Sequence, residues 1–198
     1  MHKYFLILFC TLTAVFYAGC EDNEMNHTFN FIGDSIITRW DVQQSFPVLI
    51  TKNYGCSGSG VEYLESCSAL CKSGDYAVVI SGTNDSRINP ENTIEDYATR
   101  YVDALLRFGA EKVYVFSILP RNFHNNGELQ ENRVIKALNK AILAEIESRD
   151  NPSLVYLDVY SEFIGKDGTL NMNLTYDGLH LNPEGYEILT DALNKVIF

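Results

Sequence analysis

Basic side chains are scarce in this sequence. Its 15 Lys and Arg face 26 Asp and Glu, giving a formal net charge of −11. Such a chain is unsuited to non-specific nucleic-acid binding, which needs a basic surface. The charge is compatible with neutral glycans or small esters as substrates but does not select them. Cysteine is also sparse, at five residues, and none falls in a CxxC or His/Cys spacing that would hold zinc. No metal or other cofactor is expected. Histidine is scarcer still, at four, so chemistry that needs an imidazole has few candidates. Internal repeats, low-complexity tracts and any sign of a second domain are missing. What remains is 198 residues, 46% hydrophobic and 12% aromatic, enough for one domain with a real core.

The apolar run from Tyr4 to about Ala18 falls short of the ~20 residues a membrane span needs. With Lys3 ahead of it, the run reads as a secretory signal. The ending "YAGC" resembles the lipobox of bacterial lipoproteins, although Tyr17 stands where Leu is usual. That resemblance implies a signal peptide over 1–19 and a lipidated Cys20 as the first mature residue. The protein would then be exported and anchored to a bacterial membrane, facing the periplasm or the cell surface. Residues 20–28, polar and acidic, read as a tether, with the folded domain over 29–198. Cys56, Cys67 and Cys71 remain in that domain. Export permits a disulfide, and Cys56 is the candidate to bridge to either of the others. The odd number leaves one cysteine over. Cys67 and Cys71, on an expected helix face, otherwise read as buried thiols.

Short apolar runs alternate with longer amphipathic ones. Strands are expected over 29–33, 48–55, 76–81, 112–119 and 154–160. The third and fourth are nearly continuous in Val, Ile and aromatics, as strands buried on both faces should be. Helices are expected over about 36–45, 60–72, 91–108, 128–149 and 183–197. Gly109 closes the third, and Asn182–Pro183 is a cap and first-turn signal for the last. The alternation predicts an α/β fold with a parallel sheet between two helical layers. Functional loops in such sheets gather at the carboxyl ends of the strands.

"FIGDSIITRW" puts Ser35 where a strand ends and a helix begins, where helix amides favour negative charge. A serine there is often only a helix cap, and a nucleophilic one needs a base. His2 lies in the leader and His27 in the tether, which leaves His124 and His180. His124 sits in a polar loop with no acid near it in sequence. His180 sits in "TYDGLHLNPEGY", where Asp177 can reach back to its imidazole within one loop. "ISGTNDS" supplies Asn84, an amide suited to donate to an oxyanion, and "NYGCSGSG" supplies Gly55, whose bare backbone N–H can approach closely. Either segment alone reads equally well as a turn.

Taken together, in this order, "GDS", the Gly of "NYG", "GTND" and "DGLHLN" resemble the four blocks of the GDSL or SGNH hydrolase superfamily. The resemblance implies a flavodoxin-like three-layer α/β/α sandwich with a five-stranded parallel sheet. It implies a Ser35 nucleophile, a His180 base and an orienting Asp177. It implies an oxyanion hole from the Ser35 amide, the Gly55 amide and the Asn84 side chain. "GDSII" departs from the familiar "GDSL" only in residues behind Ser35. The G-x-S-x-G elbow of α/β-hydrolases is absent. The small exported form resembles the carbohydrate-esterase and acetylhydrolase-like branch, and so implies an O-acetyl esterase acting on a glycan or small ester. A lysophospholipase or lipase is the first alternative, and a non-catalytic glycan-binding lipoprotein on the same fold the second.

Overall fold

A computed structural model describes residues 27–86, 93–123 and 128–198. The expected signal peptide, Cys20 and His124 lie outside the described residues.

Five strands, β1 (Thr28–Gly33), β2 (Ile50–Gly55), β3 (Tyr76–Ile80), β4 (Lys112–Phe116) and β5 (Leu154–Leu157), form one sheet in the order β2-β1-β3-β4-β5. Every pairing is parallel. This is the flavodoxin-like order, whose direction of winding reverses beside β1 and opens a crevice at the strands' carboxyl ends. The helices are α1 (Ser35–Thr38), α2 (Val42–Ser45), α3 (Val61–Ser66), α4 (Ile94–Leu106), α5 (Glu128–Arg149), α6 (Tyr160–Phe163) and α7 (Pro183–Ile197).

Neighbouring residues on a strand point to opposite faces, and the central strands are apolar on both. Ile32, Val79 and Val115 face one core with Leu64 of α3, Tyr101 and Leu105 of α4, and Leu138 and Ile142 of α5. Phe31, Val78 and Phe116 face the other with Ile36 and Ile37 of α1, Trp40, and Leu189 and Leu193 of α7. All of these are buried.

Several expected boundaries shift. The expected helix 36–45 is two short helices, because Asp41 starts a new one by accepting the Gln44 N–H at 3.0 Å. The run 154–160 ends as a strand at Leu157, and Tyr160 opens α6. The expected 60–72 helix stops at Ser66 and tightens into a 3₁₀ turn over Cys67–Ala69. At the amino end, Thr28 already pairs in β1 and the His27 ring stacks on Tyr76, so ordered packing begins ahead of residue 29. Cys56, Cys67 and Cys71 are all free. The bridge considered from Cys56 is therefore not present; Cys56 is exposed, while the other two are buried in the manner of small apolar side chains.

Candidate active site

β1 delivers Ser35 to the carboxyl edge of the sheet. Gly33 is needed there, since a Cβ would lie 1.8 Å from the Ile80 carbonyl oxygen. Asp34 then caps α1, its Oδ1 accepting the Ile36 N–H at 2.9 Å. Ser35 takes the first helical position, where the backbone N–H has no partner within the helix. The residue is only 5% exposed.

Asp177 and His180 come from the loop that precedes α7. Gly178 sets that loop's course: its φ is +84°, and a Cβ would lie 1.6 Å from the Asn122 carbonyl oxygen. Only glycine meets both conditions. The Asn122 N–H donates to the Gly178 carbonyl at 2.7 Å and locks the loop onto the segment after β4. Asp177 Oδ1 accepts the backbone N–H groups of Leu179 at 3.0 Å and His180 at 2.7 Å. Its Oδ2 lies 2.6 Å from His180 Nδ1. His180 Nε2 in turn lies 3.1 Å from Ser35 Oγ. With Nδ1–H donated to the carboxylate, Nε2 presents a lone pair to the serine hydroxyl. The partial burial of Asp177 pushes its carboxyl up, but the His180 ring and the two amides outweigh burial and hold it below the ordinary carboxylate range.

The two remaining expected residues lie on neighbouring turns. Asn84 belongs to the 3₁₀ turn Thr83–Asp85 after β3, and its Nδ2 donates to the Ser59 carbonyl at 2.8 Å. An amide NH₂ carries two hydrogens, so one N–H is used in holding the turn to the 56–60 loop. Gly55 ends β2 against α1, where a Cβ would fall 2.2 Å from the Thr38 nitrogen. Close approach of two backbones thus demands glycine here. Its N–H is not bare, as the sequence reading had it, but donates to Asn53 Oδ1 at 2.9 Å. Asn53 is fixed for that role by its Nδ2, which donates to the carbonyls of Ile37 at 2.7 Å and Trp40 at 3.1 Å.

Three supporting residues escaped the sequence reading. Asn53 is one. Asp85 is another, with its Oδ2 accepting the Val61 N–H at 3.0 Å and the Tyr97 hydroxyl at 2.8 Å, which ties the Asn84 turn to the start of α3. Arg121 is the third, donating to Ser86 Oγ at 3.1 Å and pairing with Glu131 at 3.1 Å. The polar spacing of "GTNDS" was the available signal for Asp85; nothing local marked Asn53 or Arg121. Among the described residues no three His, Cys, Asp or Glu side chains converge as metal ligands would.

Asp34 is 1% exposed, and burial pushes its carboxyl up to about 7. The nearby Asp85 charge adds to the rise, while the amides of Ile36, Gly82 and Thr83 oppose it.

Known proteins share this arrangement of chain. Platelet-activating factor acetylhydrolase IB subunit alpha1 of Homo sapiens is 29% identical over 197 residues, covering 92% of this chain and 79% of that protein. A GDSL-like lipase from Bacteroides thetaiotaomicron superposes with a TM-score of 0.67 at 22% identity, covering 88% of this chain and 89% of the other. An acetylxylan esterase from Geobacillus stearothermophilus superposes with a TM-score of 0.64 at 18% identity, covering 87% and 94%. These structural likenesses show a common fold. The description "GDSL-like Lipase/Acylhydrolase family" matches residues 31–188, a span that runs from β1 into α7 and takes in every block singled out above, and the chain belongs to that family of hydrolases.

Proposed function

We propose that the protein is a serine esterase that removes small acyl groups, O-acetyl first among them, from glycans. The observation that carries the reading is the continuous hydrogen-bonded line from Asp177 through His180 to Ser35, with 2.6 Å and 3.1 Å contacts. In this mechanism Ser35 Oγ attacks the ester carbonyl while His180 Nε2 takes its proton. Asp177 holds the ring in the required tautomer and stabilises the imidazolium. The oxyanion forms beside the start of α1 and Asn84, whose donors favour it over the neutral carbonyl. Collapse releases the alcohol, protonated by His180, and leaves an acyl-serine. Water, deprotonated by the same imidazole, then frees the acid and restores Ser35.

The human relative is named an acetylhydrolase and the Geobacillus structure an acetylxylan esterase. That common acetyl group supports the acyl preference proposed for this chain. In the same reading residues 1–19 direct export and Cys20 carries a lipid anchor to the membrane.

The test is labelling with a fluorophosphonate, which should place one adduct on Ser35. Ser35→Ala should lose both the adduct and p-nitrophenyl acetate hydrolysis while unfolding at the wild-type temperature. An adduct on another residue, or activity above a few per cent in the variant, would refute the assignment. A series of p-nitrophenyl esters of rising chain length should show the highest kcat/KM for acetate; a maximum at long chains would make the enzyme a lipase.

A further inference from the structure

Outside the Ser35 line, a groove of about 710 Å³ runs between α1–α2 and the start of α7. None of Ser35, Asp177 and His180 lines it, yet it is built on the segments that carry them. Tyr176 and Leu181, which line it, are the chain neighbours of Asp177 and His180. They are held together by the Tyr176 N–H to His180 carbonyl bond at 3.0 Å and the Thr175–Leu181 bridge. On the opposite wall, the Arg39 N–H donates to the Ser35 carbonyl at 3.1 Å, and the Tyr186 hydroxyl reaches across from α7 to donate to the Ile36 carbonyl at 2.8 Å. The groove therefore adjoins the helix of the nucleophile and the loop of the base.

The lining selects a chemistry. Asp41, Glu187 and Asp191 are exposed acceptors, and Arg39 is an exposed donor. Sugar hydroxyls both donate and accept, so they can satisfy such a mixture, whereas a phosphate offers only acceptors and would meet three like charges. Tyr176 is 71% exposed and offers a ring on which a sugar can lie. The other aromatics are committed elsewhere. Trp40 and Tyr186 pack on each other with centroids 5.8 Å apart, and Trp40 Nε1 is taken by Ser45 Oγ. One open ring is not the multi-ring cage that captures a quaternary ammonium. The volume lies within the ~300–1,000 Å³ that accommodates a drug-sized ligand, so it fits a chain segment rather than an acetate.

We infer that this groove binds a neutral oligosaccharide segment of the substrate, next to but separate from the ester being cleaved. The inference rests on the glycan-esterase reading above and adds to it where the sugar chain lies.

The test compares wild type, the double variant Glu187→Gln with Asp191→Asn, and Gln44→Trp, which fills the groove from an exposed position. Thermal unfolding of each establishes that the variants fold. Each is assayed on p-nitrophenyl acetate, on acetylated xylo-, manno- and gluco-oligosaccharides, and on an acetyl ester of glycerophosphocholine. The readout is kcat/KM on the oligosaccharide divided by kcat/KM on p-nitrophenyl acetate. This ratio should fall at least tenfold in both variants, through a rise in KM. An unchanged ratio in an enzyme that does deacetylate oligosaccharides would overturn the groove assignment and leave the glycan-esterase reading standing. Cleavage of p-nitrophenyl acetate with no acetate released from any oligosaccharide would overturn both. A loss confined to the glycerophosphocholine ester would overturn the inference in favour of a lipid headgroup.

Discussion

The acid at position 34 lets electrostatics be tested through folding rather than catalysis. Asp34 is 1% exposed, and burial raises its carboxyl from 3.8 to about 7. Because the folded value is the higher one, the group's favourable contribution is complete below the unfolded value and is lost as pH rises through about 7. The rise from 3.8 to about 7 corresponds to ~4 kcal/mol between pH 4 and pH 8, at about 1.36 kcal/mol per pH unit. Asp34→Asn removes the titration. Its Oδ1 can still accept the Ile36 N–H that caps α1, and any cost of seating the NH₂ beside the Gly82 and Thr83 amides is independent of pH and does not alter the trend. Groups that do not interact with Asp34 titrate alike in the two proteins, so their difference reports Asp34 together with the Asp85 charge coupled to it. The assay is urea and thermal unfolding of both proteins at pH 4, 5.5, 7 and 8. The variant should gain on wild type as pH rises, by up to ~4 kcal/mol, or about 8–16 °C at roughly 2–4 °C per kcal/mol for a domain of this size. A stability difference that is constant across this range, or a variant that loses ground as pH rises, would refute the account of a carboxylate left charged in a buried site.

Asn84→Ala should lower kcat by ~10²–10³, the usual loss for one oxyanion donor, with KM nearly unchanged; a pure KM effect on p-nitrophenyl acetate would move Asn84 to ground-state binding. Gly178→Ala should destabilise the fold by at least about 2 kcal/mol, because it combines an unfavourable positive φ with a Cβ pressed into a carbonyl, and wild-type stability in that variant would contradict the loop geometry. In a chain with Cys10 and Cys20 replaced by serine, Ellman's reagent should find three thiols after unfolding without reductant and one fast-reacting thiol, Cys56, before it. The other two are shielded, and burial pushes the Cys71 thiol up to about 11; a single thiol after unfolding would reveal a disulfide.

The strands were legible where both faces are buried. "YAVVI" and "KVYVF" are apolar at almost every position because helices cover both sides, and sequence and structure agree there to within a few residues. The ends were harder to place. Residues 48–55 looked uniformly strand-like, yet β2 is an edge strand that starts at Ile50, with Val48 79% exposed. "SIITRWDVQQS" carries no Gly or Pro to mark a break, so it read as one helix. The break comes from Asp41 capping a new helix while Trp40 turns inward, and that packing depends on Phe31, Phe116 and Tyr186 from distant parts of the chain.

In the site, Ser35, Asp177 and His180 were legible because each sits in a short motif whose local spacing already implies its geometry. The state of the Gly55 amide was not, because its partner's position depends on how β2 packs against α1. That packing bears on the proposed mechanism. In the resting enzyme the Gly55 N–H belongs to Asn53, a neutral acceptor anchored at both of its Nδ2 hydrogens. A substrate carbonyl is also a neutral acceptor and has no advantage over it. The tetrahedral oxyanion is charged, and hydrogen bonds to a charged acceptor are roughly twice as strong. On this mechanism the oxyanion can draw on the Gly55 donor while the ground state leaves it with Asn53. An interaction strengthened only as charge develops is what raises kcat rather than merely lowering KM.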